Sequence, residues 1–219
     1  MKKNILLILL FIGISANAQW NTDTAVNTLV ADSDSEDIKS MATSDGQTYV
    51  VFWKAVAAPT NFELRVQLLD VDGNKQFGDD GMLVSDTIPM STFTVVWSIT
   101  IDANDNLYIG ATGSADDSGH AFKLDINGNQ LWGANGISLG DPGFVVTILP
   151  LASGEALVSW FPFDTGLIQK YDTNGNPVWD SPQDLGTGIT APANMYELSD
   201  GGHISVYHLV GSGISSTLY

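Results

Sequence analysis

Residues 136–140 read GISLG and match G-x-S-x-G, the pattern that presents a nucleophilic serine on a strand-to-helix turn. Here the match follows an Asn-Gly pair and precedes Asp-Pro-Gly. Aligned with GMLVS at 81–85, its Ser138 falls opposite Leu83. A position that alternates between Ser and Leu is not expected to carry a nucleophile. Asp-rich turns raise calcium chemistry instead. A 12-residue calcium loop needs Gly at its sixth position and Glu at its twelfth. Counted from Asp70 those places hold Lys75 and Gly81; from Asp125, Gln130 and Gly136; from Asp32, Asp37 and Thr43. Asp70 and Asp72 remain the best carboxylate pair for a shorter site, and a turn-forming role outweighs it. His203 and His208 are five apart, so on one strand they face opposite sides and make no joint metal site. His120 stands alone, and all three are expected to be surface or edge residues. The chain lacks G-x-x-x-x-G-K-[ST], H-E-x-x-H and C-x-x-C. The sequence therefore assigns no catalytic residue, no cofactor-binding residue and no metal ligand, and implies no cofactor.

Aromatic residues are the remaining chemistry. Faces of Trp and Tyr stack on sugar rings, and the chain has six of each. Trp132 and Trp179 recur at one place in a repeat, and Trp53 and Trp160 at another, which points to packing. Trp97 is the one least explained by repetition.

The elements that position these residues are short strands. Runs of Val, Ile, Thr, Leu and aromatics alternate with Gly, Asn, Asp and Ser clusters, and no helical stripe interrupts them. LLDVDGNKQF (68–77), FKLDINGNQLW (122–132) and QKYDTNGNPVW (169–179) share a D-x-[DN]-G-N turn followed by an aromatic. A second unit, a turn then a strand, recurs as SDGQTYVVFW (44–53), ANDNLYIGAT (103–112), ASGEALVSWF (152–161) and SDGGHISVYH (199–208). Both landmarks give a period near 50 residues. Within it the reading is strand, turn, strand, strand, turn, strand. In the clearest period the strands are expected at 92–101, 106–112, 120–125 and 129–132. Asn-Gly supplies the positive φ that a tight hairpin demands.

Antiparallel four-stranded units of this length predict an all-β fold, a β-propeller. Three complete blades are expected at about 36–86, 92–141 and 143–186, with an incomplete fourth at 190–219, giving about three and three-quarter repeats and an incomplete ring. Alternatively Trp20 to Val30 supplies the missing strand and closes four blades, because WNTDTAVNTLV echoes WGANGISLG. Where a propeller carries a site, it is usually in loops that differ between blades. Those are 55–63, 113–121 and 161–166.

The N-terminus reads MKKNILLILLFIGISANAQW: Lys2 and Lys3, an apolar run from Ile5 to Ile14, then Ala16-Asn17-Ala18. That order is a secretory signal peptide over residues 1–18, and the run is too short to span a bilayer. An exported chain is expected, extracellular or at the cell surface, with the periplasm as the other compartment. There is no cysteine, so the exported domain rests on its core and not on disulfides. Net charge is −17, which argues against nucleic acid or an anionic membrane surface as partner. The expected partner is an extracellular ligand, protein or glycan, without membrane insertion.

QLLDVDGNKQFGDDGMLVSD, KLDINGNQLWGANGISLGD and the TSDG and LSDG turns, with Trp20 just past the leader, resemble propeller-like regions of large secreted bacterial proteins, often cargo of type IX secretion. That resemblance implies export past the outer membrane. FKLDINGNQLW and IQKYDTNGNPVW are also similar to quinoprotein-type propeller repeats, though with a shorter turn and with Phe77 in place of Trp. No quinone-contacting set carries over. The leading expectation is a non-catalytic binding or scaffold module. The alternative is part of a secreted enzyme, glycan-active or quinone-dependent, whose catalytic residues lie outside this chain.

Overall fold

The computed structural model describes residues 27–187, 189–209 and 213–218. The expected leader at 1–18 and the stretch from Trp20 to residue 26 lie outside the described residues. Among the described residues fifteen strands form four antiparallel sheets. Blade 1 is β1 (Ser35–Ala42), β2 (Thr48–Ala55), β3 (Phe62–Leu69) and β4 (Met82–Ser85). Blade 2 is β5 (Val95–Ile101), β6 (Leu107–Gly113), β7 (Ser118–Leu124) and β8 (Ile137–Gly140). Blade 3 is β9 (Phe144–Pro150), β10 (Ala156–Phe161), β11 (Thr165–Tyr171) and β12 (Gln183–Thr187). Blade 4 has three strands, β13 (Ile189–Glu197), β14 (His203–Leu209) and β15 (Gly213–Leu218). Each sheet pairs in sequence order. This is a β-propeller whose described sheets do not close into a ring.

The first strands are innermost. β1 lies beside β5, β5 beside β9, and β9 beside β13, so these four strands line the axis. Antiparallel order then fixes the two ends. The turns between first and second strands and the D-x-[DN]-G-N turns share one end. The loops between second and third strands share the other, with the connectors between blades. Asn61 Nδ2 donates to Met90 O (3.0 Å), and Ala115 N to Pro89 O (3.1 Å), which ties those loops to a connector.

Each sheet is buried by its neighbour. Tyr49, Val51 and Trp53 of blade 1 pack on Leu107, Ile109 and Phe122 of blade 2. Tyr108 and Trp132 of blade 2 pack on Val146, Val158 and Tyr171 of blade 3, and Leu157 and Ile168 of blade 3 on Met195 and Tyr207 of blade 4. The aromatics after the turn serve this docking: Trp132 is 5 % exposed, and Phe77 and Trp179 pack partly buried at the other seams. The fourth strand is not where the sequence suggests. Residues 129–132 make only an isolated bridge, Leu124 with Gln130, and the outer strand of blade 2 is Ile137–Gly140. The chain turns again at Gly133 (φ 87°). Trp132 thereby swings into the seam while the strand begins five residues later.

The turns explain the Asp positions. Asp70 Oδ1 accepts from Asp72 N (3.0 Å) and Asn74 N (2.8 Å); Asp125 and Asp172 repeat the pattern. Asp and Asn are used here because their side chains satisfy backbone amides that the hairpin leaves unpaired.

Candidate functional site

Among the described residues the side chains with site potential converge on the axis. A groove of about 370 Å³ is lined by Trp97, Ser98, Ile99, Thr100, Thr147 and Asn194, with neighbours from the same inner strands. A β-bulge stands at one level in all four inner strands, and three of these strands, β5, β9 and β13, line the groove. In register, Lys39 opposes Val51, Ser98 opposes Gly110, Thr147 opposes Ser159 and Asn194 opposes Val206. Val51, Gly110, Ser159 and Val206 each lie five residues past the repeat landmark. Just before each pair the register slips: at Asp37 and Ile38, at Trp97, at Val145 and Val146, and at Ala193. A bulge bends its strand and re-aims a side chain, and bulges concentrate at active sites and barrel rims.

The bulged residues also tie strand to strand. The Asp37 carboxylate accepts from Val96 N, and Ser98 Oγ donates to Val146 O (2.7 Å). Two of these positions hold positive φ in non-glycine residues, Asp37 (48°) and Val145 (51°). For a β-branched residue that conformation is strained, at about 1–3 kcal/mol. Trp97 is 37 % exposed, whereas Trp53 is fully buried. Its indole is not loose. Nε1–H donates to Thr112 Oγ1 (2.7 Å), and Thr112 Oγ1 donates to Gly143 O (2.7 Å). The groove thus presents a fixed aromatic surface beside the hydroxyl of Thr147 and the exposed amide of Asn194. That set can stack on a ring and hydrogen-bond to hydroxyls.

Other sequence candidates take different places. Ser138 is exposed on β8, an outer strand, opposite His120 in register. It has neither the strand before it nor the helix after it that a nucleophile elbow requires. His120 is half-buried and shares a hydrogen bond with Ser118 Oγ (2.9 Å); burial pushes its imidazole down, and Asp116 opposes that. His203 is buried, 8 % exposed, on the side of blade 4 that meets blade 3, not at a surface or edge. Its side follows from strand alternation with Ser205 and Tyr207, which the lack of an apolar flanking run concealed. His208 follows on the same strand, and its side chain lies outside the description. Asp70 and Asp72 belong to the hairpin turn, and among the described residues no three His, Cys, Asp or Glu side chains cluster to hold a metal. No described helix is long and apolar enough to cross a membrane. The varied loops lie at the connector end. The third of them holds an aromatic group: Phe144 and Phe163 ring centroids are 4.6 Å apart, with Phe161 at 6.2 Å from Phe163.

The turn carboxylates set an acid limit on stability. Hydrogen bonds from Asn74 and Asn176 lower the pKa of Asp70 and Asp172 below the ordinary 3.8. The folded chain then binds fewer protons than the unfolded chain near that pH. The stabilisation is complete above about pH 4 and is lost as pH falls through the lowered folded values. Asn74→Ala with Asn176→Ala is expected to leave the melting temperature less dependent on pH between 4 and 2 than in the parent, read by thermal scans across that range.

No family model matches the sequence, and no curated protein matches it. Solved structures are similar in fold. A protein of unknown function from Bacteroides caccae is 13 % identical at a TM-score of 0.46, over 83 % of this chain and 61 % of that one. An exo-β-1,3-galactanase from Phanerochaete chrysosporium is 14 % identical at 0.47, over 84 % and 45 %. An α-L-arabinanase from Penicillium chrysogenum is 13 % identical at 0.49, over 89 % and 65 %. The chain spans less than two thirds of the length of each. The expectation of a non-catalytic binding or scaffold module, not an enzyme, is corrected on this finding: the similar structures include a galactanase and arabinanases.

Proposed function

We propose that this chain is an exported, glycan-active propeller, the sugar-holding part of an enzyme whose catalytic carboxylates lie outside the described residues. The observation that carries the reading is the bulge level, where Trp97 lines the groove and is held by Thr112. Sugar rings offer apolar C–H faces and a rim of hydroxyls. An indole face beside Thr147 and Asn194 complements both, and few side chains here need reorder on binding. Glycosidic hydrolysis uses two carboxyl groups about 5–9.5 Å apart on either side of the bond. The groove lining named above is aromatic, hydroxyl and amide, so it serves holding and orientation. Export is read from the expected leader at 1–18, and the resemblance to type IX cargo supports a site outside the cell.

The test is titration calorimetry with β-1,3-galacto- and α-1,5-arabino-oligosaccharides. Binding by the parent chain is expected with one of the two series. Trp97→Ala is expected to weaken it at least about tenfold, a loss near 1.4 kcal/mol. Trp97→Phe should restore part of the affinity. Retained affinity in Trp97→Ala, or no binding of either series by the parent, would remove the reading.

A further inference from the structure

Blade 1 has one face on blade 2 and one turned away from it. On the second face Val50, Phe52 and Leu69 are buried, and the residues covering them are Val30 and Ala31, ahead of β1. In blade 2 the equivalent face is Ile109, Ala111 and Leu124, and a whole blade covers it. The segment ahead of β1 therefore stands where the outer strand of a preceding blade belongs. Two contacts repeat closely. Thr28 lies against Gly73 as Met82 of β4 lies against Gly128, the repeat equivalent of Gly73. Val30 O accepts from Gln67 Nε2 (3.3 Å) as Val84 O of β4 accepts from Gln130 Nε2 (2.8 Å). Thr28 to Val30 and Met82 to Val84 are the same two-residue step. Asp32 anchors the end, its N donating to Asp79 O (3.1 Å) and its carboxylate pairing with Lys75 Nζ (2.6 Å).

Residues 27–31 nevertheless belong to none of the described sheets. Inward of them Ser40 and Ala42 are exposed, and Ile38 is 61 % exposed. Across the opening, blade 4 turns Tyr196, Ile204 and Val206 away from blade 3, and Tyr196 is 55 % exposed. Among the described residues every other such face is covered by a sheet of the same repeat.

We propose that the opening between blade 4 and blade 1 is the seat of one further sheet of this repeat, with residues 27–31 as its fourth strand. The occupant has three antiparallel strands, separate from blades 1 to 4. One apolar face meets Ile38 and the other meets Tyr196 and Ile204. The free edge of its third strand pairs with the backbone of 27–31, which is strand addition to an open edge. A sheet there continues the interface that β4 already makes with blade 2.

The experiment extends the full chain after Tyr219 by second copies of residues 172–187 and then 141–171, a turn and outer strand that return the chain to the connector end followed by three strands of a further sheet. Amide hydrogen exchange is followed at 27–31 in the original and extended chains. Exchange at these residues is expected to slow at least about 100-fold on extension, because protection follows pairing. Ile38→Glu should leave the original chain's melting temperature unchanged and abolish the added protection in the extended chain. Two results overturn the proposal. One is an extended chain, folded by near-ultraviolet circular dichroism, in which 27–31 exchange as before. The other is an original chain that sediments as a dimer with 27–31 already protected, which makes a second copy the occupant.

Discussion

Replacing Trp132 by alanine is expected to cost about 3–5 kcal/mol of unfolding free energy, the range for removing a large buried aromatic. Trp132 closes the seam between blades 2 and 3. Its ring centroid lies 5.4 Å from that of Tyr108 at 79° and 6.0 Å from that of Tyr171 at 42°. Gly175 abuts it so closely that an added Cβ would come within 3.0 Å of the indole. A domain of this kind has about 5–15 kcal/mol in all, so the loss is a large share. The exposed ion pairs do not compete: Lys54 with Asp80 and Arg65 with Glu63 are partly exposed, and such pairs contribute about 0–1 kcal/mol. Trp132→Phe should cost much less. The indole N–H is buried without a hydrogen-bond partner among the described residues, so Phe loses no bond. Phe77 already occupies the equivalent place in the first repeat. Urea unfolding with an unchanged m-value checks both variants. A cost below about 1 kcal/mol for alanine would show that the aromatic is not what docks the blades.

Gly110→Ala is the second large effect, and it reaches the groove. An added Cβ would lie 2.5 Å from Val146 O and 2.9 Å from Ser98 Oγ. Both atoms form the Ser98–Val146 hydrogen bond that joins the bulges of β5 and β9. The nearest neighbour is backbone, so the clash is relieved only by moving β9 outward. Overpacking of this kind costs about 1–3 kcal/mol. The repeat tolerates Val51 and Ser159 at equivalent positions, but β9 lies against β6 as well as β5, so here the space is gone. A shift in Trp97 fluorescence should accompany the stability loss, together with weaker oligosaccharide binding. A stable variant with unchanged Trp97 emission would mean that the groove does not depend on this approach.

Much of this architecture can be read from the turns. Asp70, Asp125 and Asp172 recur because each must satisfy the amides of its own hairpin, and that need is local, so it leaves a local signature. The seam aromatics are legible for a related reason, since one docking geometry selects one residue type at one place. The outer strands are harder. Residues 129–132 look like a strand, but positive φ at Gly133 sends the chain through another turn, and only tertiary packing places β8. The groove is harder still. A bulge adds one residue to one strand and has no composition of its own, so Trp97 looks merely irregular until the register is known. His203 was hidden by alternation across a seam that the sequence does not reveal. The function we propose rests on the groove, and for that reason it is the least legible of all.

Val145 carries a consequence for engineering. Its left-handed backbone opposes folding, and glycine would adopt the same φ of 51° without that strain. A library selected only for heat resistance would be drawn to this position early. The same glycine would loosen the bulge of β9 beside Thr147 and soften the wall of the groove. Thermal selection and ligand selection would then pull one codon in opposite directions, which is the trade-off expected where strain and function share a residue.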